Sequence, residues 1–500
     1  MRAVIWKLQQ RAPDILWIGL IVAAAIALAL LPLTTATILF AGATVLLLAL
    51  VRPHYALYLL AFAIPFGSLR EFRLGPVALG GAEAVGVLVA GAWILRALAL
   101  REPIRWKAPL TWALLLFLFV GLVSALGALS LAHAVKELLR WAELLLVFLA
   151  AGNLLIGRRA AIAVGCLLLG AALEGLLGAY QFFRQAGPEG FVLFGRFMRA
   201  YGTFEQPNPY AGYLGLLLPV GVALILSAFT DWRAALRGRG TRLAAWIGTL
   251  AATGLALAGV VMSWSRGAWV GVATSTAMVI LLKGRRWAVA VAVLALLAVV
   301  ILGGSAANLL PASIVERFAD IGAYFQPFDV RTVEVNDTNW AIVERMAHWQ
   351  AGWAMFSDRP WLGVGFGNYE AVYPAYAIGI WRDPLGHAHN FYINIAAEAG
   401  LAGFIAYLIV IAAAFAQTGK ALARTSGLSR AVCIGAIGML AHLSVHNFVD
   451  NLYVHGMNML VGMALGIAWA LGNTLFTAES AEITERKIIP VPQRSPRSLR

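Results

Sequence analysis

Apolar runs of about twenty residues, following one another after short polar breaks, constrain this chain more than any other feature of its sequence. A helix needs roughly 20 apolar residues to cross the hydrocarbon core of a bilayer, because each residue advances it by about 1.5 Å. Of the 500 residues 61% are hydrophobic and 12% charged, whereas an ordinary globular chain carries about 25% charged residues. Too little polar surface remains to cover a water-soluble fold, so a soluble enzyme is excluded. An all-α, polytopic integral membrane protein is expected.

Hydropathy windows place helices near 15–33, 34–51, 54–69, 78–98, 108–131, 138–156, 160–183, 209–230, 243–262, 266–282, 287–306, 390–417, 431–447 and 452–472, about fourteen in all. The 38 Lys and Arg against 24 Asp and Glu give a net charge of +14. In a soluble chain that excess would point to nucleic acid; here it sets orientation, and no nucleic-acid partner is expected. Basic clusters around Lys7 and Arg11, Arg101 to Lys107, Arg158 and Arg159, Arg233 to Arg242, Lys283 to Arg286, and Lys420 to Arg430 fall on one side of the spans. The positive-inside rule makes that side cytoplasmic, and an even helix number puts both termini there. The first apolar run is too long for a signal peptide, and a second follows directly. Cys166 and Cys433 each lie in an apolar run and suggest neither a disulfide nor a metal motif.

Four parts follow: an N-terminal bundle of about eleven helices over 1–307, an external cap over 308–388, C-terminal membrane helices over 389–472, and a basic, Pro-rich cytoplasmic tail over 473–500 expected to be unfolded. The cap is rich in Trp, Tyr and Phe, as a folded unit would be and a disordered tether would not.

A reaction site must gather its groups in one place, so the informative polar residues are those that share the outer face. In SWSRGAWVG, Arg266 falls at the turn between two helices, where an arginine either serves chemistry or snorkels to the interface. AYGTFEQPNPYAGYL, with Arg196 and Arg199 before it, leads into an inward-going helix; Asn208 suits an N-cap and Pro209 a first helical position. ERMAHWQAGWAMFSDRPWLGVGFGNYE contains an amphipathic helix over about 342–356 that bears Arg345, then alternating Gly363, Gly365 and Gly367. No Lys-Ser/Thr follows those glycines and no βαβ unit surrounds them, so they are not read as a nucleotide loop.

In GHAHNFYINIAAEAG, His389 and Asn390 mark the return into the bilayer, and Asn390, Asn394 and Glu398 share one helix face at i, i+4 and i+8. A carboxylate at that depth costs about 3 kcal/mol on insertion scales, so Glu398 should be paired, protonated or facing a polar cavity. A hydrogen bond between helices is the structural alternative. His442, His446 and Asp450 make a second such face. With His387 and His389 they offer metal-ligand types, but no HExxH or Cys pair accompanies them, and an Asp–His pair can equally orient a base. No metal is expected. Glu83, Glu143 and Glu174 are further intramembrane carboxylates without an assignable partner.

Taken in order, GTFEQPNPYAGYL, SRGAWVG, the ER…W…DRPWLGVGFGNY stretch, and His389–Asn390 with Gly400 and Gly403 downstream resemble the bacterial O-antigen ligase and O-antigen polymerase superfamily. The likeness runs roughly from Tyr201 to Leu408; the first 200 residues match only in being membrane-spanning. It implies a bacterial inner-membrane glycosyltransferase that takes a glycan from an undecaprenyl-diphosphate carrier at the outer leaflet. The acceptor would be a hydroxyl of a glycolipid, glycan or protein, joined with inversion at the anomeric carbon and without a metal or other cofactor. The family's arginines match Arg266 and Arg345, and its HN histidine matches His389.

The chemistry asks for such residues. A diphosphate leaving group gains negative charge as its bond to the sugar breaks, and arginine, always charged and forked, stabilises it. The acceptor hydroxyl must lose a proton, which suits imidazole. His389 is therefore the candidate base, and Arg266, Arg345, Arg199 and Asn390 are the candidate diphosphate or substrate ligands. Asn208, Glu398, His446 and Asp450 are candidate supports. A polymerase or a protein O-oligosaccharyltransferase of the same superfamily differs from a ligase only in its acceptor. A lipid-linked glycan transporter or flippase would show inverted halves with midplane sites, and no such pairing is visible.

Overall fold

The computed structural model describes residues 31–67, 71–74, 77–193, 195–230, 240–284, 289, 328–336 and 339–488. The expected helices at 15–33 and 287–306, the first part of the cap and the end of the basic tail lie largely outside the described residues. Within them the chain forms α1 (Leu33–Val51), α2 (His54–Phe66), β1 (Glu71–Leu74), β2 (Val77–Gly80), α3 (Gly81–Leu100), α4 (Pro109–Ala125), α5 (Leu131–Leu154) and α6 (Arg158–Arg184). Then come β3 (Val192–Leu193), β4 (Phe197–Met198), α7 (Pro207–Thr230), α8 (Gly240–Met262), α9 (Arg266–Lys283), α10 (Trp340–Asp358), α11 (Tyr369–Val372), α12 (Phe391–Ala423), α13 (Gly427–His446) and α14 (Met457–Ile488). The strands make only two small antiparallel hairpins, β1–β2 and β3–β4.

Seven of these helices are long and apolar enough to cross a membrane, α1, α3, α6, α7, α8, α12 and α13, and shorter apolar helices pack among them. The protein is an all-α polytopic membrane protein, as its composition requires. α14 lies along α5, α13 along α7 and α9, α8 along α6 and α7, and α12 along α4. Where α4, α5, α12 and α14 meet, the buried rings of Phe117, Trp141, Phe391, Tyr407 and the neighbouring Tyr453 pack edge-on or tilted, with centroids 4.5–6.2 Å apart.

Several boundaries differ from the hydropathy reading, each for a physical reason. The helix expected over 108–131 ends at Ala125, and a turn leads to α5 at Leu131; Leu126, Ala128 and Leu129 keep that turn apolar, so hydropathy does not register it. α5 begins seven residues before the expected 138 because Lys136, Glu137 and Arg140 dilute its first turns. Residues 71–74 and 77–80 pair as a hairpin in the break between the helices expected over 54–69 and 78–98, so the second of these begins at Gly81 rather than 78. The expected cap helix over 342–356 is α10.

α12 carries the feature that seats the cap. Its helix breaks at Gly400 (φ 64°, ψ −163°), a conformation glycine adopts without a Cβ penalty. Inside a bilayer such a break would strand polar backbone groups, and the segment after α10 satisfies them. Leu401 N–H donates to Pro360 O (2.7 Å) and Ala402 N–H to Trp361 O (3.2 Å); in return Val364 N–H donates to Ala397 O (2.9 Å) and Gly365 N–H to Glu398 O (3.0 Å). A Cβ on Gly363 would stand 2.3 Å from the Glu398 backbone carbon. The alternating glycines are thus three close approaches of one loop, Gly363 against α12, Gly365 against Ala128 in the turn before α5, and Gly367 against His133 and Glu137 of α5.

Candidate functional site

The site is built where α7, α9 and α12 begin and α13 ends. An arm over 198–203 reaches it first. Arg199, half-buried, donates from Nε to Ser263 O (2.8 Å) and from Nη2 to Asn208 Oδ1 (3.0 Å). The Asn208 side chain therefore fixes an arginine, and since α7 begins at Pro207, Asn208 lies inside the first turn rather than at the expected N-cap position. Ala200 N–H donates to Met262 O (3.0 Å), tying the arm to the turn before α9.

That turn, Ser263–Trp264–Ser265, is closed by one of its own hydroxyls: Ser263 Oγ donates to Val260 O (2.6 Å) and accepts from Ser265 N–H (3.1 Å). Arg266 is the first residue of α9 and is buried. Gly267 and Gly271 of the same motif leave space for imidazoles. A Cβ on Gly267 would meet the His446 ring at 2.9 Å, and one on Gly271 would meet His442 Nδ1 at 2.6 Å. His442 and His446, one turn apart on α13, share a 3.2 Å Nε2···Nδ1 contact.

The cap supplies the remaining wall. α10 presents Arg345 and Trp349, and Trp349 Nε1 donates to His389 O (3.2 Å). Asn390 caps α12, its Oδ1 accepting from Tyr392 N–H (3.0 Å) and Ile393 N–H (3.1 Å). These elements enclose a cavity of about 440 Å³ lined by Arg199, Asn208, Arg266, Arg345, Asn390, His446 and Asp450, with Trp264, Val270, Trp349 and Phe448 as apolar wall. Three guanidinium groups against one carboxylate make it an anion site in character.

His389 stands behind this wall rather than in it. Its Nδ1 lies 3.7 Å from Asp450 Oδ1, and His387 Nε2 lies 3.7 Å from the same oxygen. Among the described residues, neither His389 ring nitrogen, both buried, meets a partner at hydrogen-bond distance. One ligand-type atom from each of His387, His389 and Asp450 falls within 4.8 Å of the other two, a spacing that a metal ion could bridge. His389 N–H donates to His387 Nδ1 (3.0 Å), which leaves the neutral ring's proton on Nε2, facing Asp450. A nitrogen that carries a proton is a donor to the carboxylate and not a metal ligand. With three arginines beside it, the cluster suits a hydrogen-bonded carboxylate better than a divalent cation.

Burial, reinforced by the neighbouring His389, pushes the His387 imidazole down to about 3, with Asp450 partly opposing. Burial and His389 likewise bring His348 down to about 4. Burial alone would raise the Asp450 carboxyl, but its interaction with His389 and the positive charge offered by His387 and His446 outweigh that and hold it well below the usual carboxylate range.

Of the nine expected site residues, seven share the cavity and His389 adjoins it through Asp450. Glu398 does not line it. Its carboxylate accepts the N–H groups of Gly367 and Tyr369 (3.1 Å each) and holds the cap loop on α12, so its partner is the cap backbone and not another helix's side chain. Two of the carboxylates left without partners gain them: Glu174 accepts from Thr203, and Glu143 from Asn458 Nδ2 (3.4 Å). Sequence reasoning missed Trp264, Trp349 and Gln181. Only Gln181, a buried amide inside an apolar helix, carried a signal.

A polytopic helical bundle with a cationic cavity under a small cap suits an enzyme or carrier of anionic substrates. Residues 251–408, which include Arg266, Arg345, His389 and Asn390, match the family described as O-Antigen ligase (Wzy_C), so this part of the chain is similar to membrane glycosyltransferases of the O-antigen ligase and polymerase type. No curated protein matches the chain.

Proposed function

We propose that this protein transfers a glycan from undecaprenyl diphosphate to an acceptor hydroxyl at the outer face of a bacterial cytoplasmic membrane, inverting the anomeric carbon and using no metal. The observation that carries this reading is the meeting of Arg199, Arg266 and Arg345 with Asp450 in one cavity of about 440 Å³, within the roughly 300–1,000 Å³ of ligand pockets.

The acceptor oxygen attacks the anomeric carbon from the face opposite the diphosphate, and the carbon–oxygen bond to the diphosphate breaks. The electron pair goes to the leaving diphosphate, where the fixed guanidinium groups meet the added charge. The hydroxyl proton passes to the Asp450–His389 pair: the carboxylate in the cavity wall receives the hydroxyl's hydrogen bond, and the imidazole 3.7 Å behind it takes up the positive charge. Val270, Phe448 and Val449 give the isoprenoid an apolar approach.

The test incubates the purified protein with a lipid-diphosphate glycan and, in separate arms, a glycolipid, a second carrier-linked glycan and a hydroxyl-bearing peptide. Acceptor-dependent discharge of the carrier with a new glycosidic bond in one arm is expected. No discharge in any arm would count against the reading.

A further inference from the structure

One polar face of α6 has no part in the chemistry above, yet it grips the arm that carries Arg199. Glu174 and Gln181, seven residues apart, fall on one face of the helix, and Gln185 follows one residue past its end. Their partners run antiparallel along the arm. Gln185 Oε1 accepts from Met198 N–H (3.2 Å). Gln181 Oε1 accepts from Tyr201 N–H (3.1 Å) and Gly202 N–H (2.7 Å), and its Nε2 donates to Gly202 O (2.9 Å). Glu174 accepts from Thr203 N–H (3.1 Å) and Thr203 Oγ1 (2.7 Å).

Between the outer rungs, Arg199 and Ala200 bond to the turn before α9 instead, through Ser263 O and Met262 O. The arm is therefore held on one side by α6 and on the other by the segment that leads into Arg266. Gln181 is the central rung, with three hydrogen bonds from one side chain that is 6% exposed. We propose that Gln181 is a positioning residue for Arg199: it fixes the arm so that this guanidinium sits at its distance from Arg266 when the diphosphate arrives. Its backbone bonds also make it more than a packing group, since an apolar residue would leave the buried Gly202 N–H and the part-buried Tyr201 N–H without this acceptor.

The inference rests on Arg199 acting in transfer, and the experiment separates the two. Transfer rates are measured for full-length Gln181→Leu, Gln181→Glu, Arg199→Ala and the Gln181→Leu/Arg199→Ala double variant, each with its KM for the lipid-diphosphate glycan. A misplaced group at an enzyme site costs about tenfold to a hundredfold, so Gln181→Leu should lose that much in kcat/KM. Gln181→Glu, which keeps the acceptor for Tyr201 and Gly202, should recover much of it. In the Arg199→Ala background, Gln181→Leu should cost less than about twofold more, because a residue acting through another has nothing left to position. Full multiplicativity of the two losses, or failure of Gln181→Glu to recover activity, would overturn the positioning role. Wild-type transfer by Arg199→Ala would instead refute the reading of Arg199 and the inference with it. If Gln181→Leu does not fold, Gln181→Glu alone carries the cycle through the loss of the Gly202 O bond, with the same criterion of non-additivity.

Discussion

Removing the Glu398 carboxylate should loosen the cap in proportion to the donors it strands. Glu398 is 5% exposed, and its two oxygens each hold one backbone N–H of the cap loop, Gly367 and Tyr369, at 3.1 Å. A buried donor left without a partner costs about 1–3 kcal/mol, so Glu398→Ala should lose on the order of 2–6 kcal/mol. Glu398→Gln keeps one oxygen and turns an NH2 group toward the other donor, so it should lose at least about half as much. The same loop leads through α11 towards His389 and Asn390, so transfer should fall in the same order, wild type, Gln, Ala. Heat-induced unfolding in detergent, followed by tryptophan fluorescence and by protease nicking within 359–390, measures the first effect. Gly363→Ala provides an independent displacement of the same loop, since its φ of +69° and a Cβ contact of 2.3 Å with the Glu398 backbone leave no room for a methyl group. A Glu398→Ala protein that melts and resists protease like the wild type would refute the account, because two stranded donors cannot be without cost.

Arg266→Ala should lower transfer by about 10²–10³, the usual cost of one preorganised charge donor, while the protein stays folded in the membrane; near-normal transfer would remove Arg266 from the mechanism. Acid should destabilise the cap. His387 and His348 have folded values of about 3 and 4 against an ordinary 6.5, so the stability they contribute is complete above about pH 6.5 and is lost as pH falls through their folded values. The melting midpoint should drop between about pH 6.5 and 4, and His348→Asn should flatten that slope; a slope unchanged in the variant would contradict the assignment. Chelator treatment should leave transfer unaltered, and a loss restored by added metal would reverse the tautomer argument at His387. Cysteines placed at Glu334 and Ser426 should react with impermeant reagents from opposite faces of the membrane; labelling from one face would break the expected topology.

The sequence displayed the bundle because hydropathy measures what a bilayer selects for, and it exposed the cavity arginines because a charge beside an apolar run is conspicuous. It hid what depends on pairing at a distance. Nothing local tells that Gly363 meets the backbone of residue 398, or that Glu174 and Gln181 bond an arm some twenty to thirty residues later. The α12 break at Gly400 was similarly invisible, since Ala399 and Leu401 on either side are as apolar as any helix interior. His389 was conspicuous as a polar residue at a helix start, but its place behind Asp450 came only from the turn between α13 and α14.

The two glycines of SRGAWVG help α9 hold Arg266 steady by admitting two imidazoles beside its first two turns. His446 enters the notch at Gly267 and His442 the notch at Gly271, while Gly215 of α7 approaches His442 from the other side, where a Cβ would stand 2.1 Å from the ring. Two imidazoles held between two glycine-notched helices act as pegs, because sliding α9 along α13 by even one residue would drive a Cβ into a ring. The pegs also set the register between Arg266 at the start of α9 and Asp450 just past the end of α13. The cationic and anionic parts of the cavity are thus fixed relative to one another by helix packing.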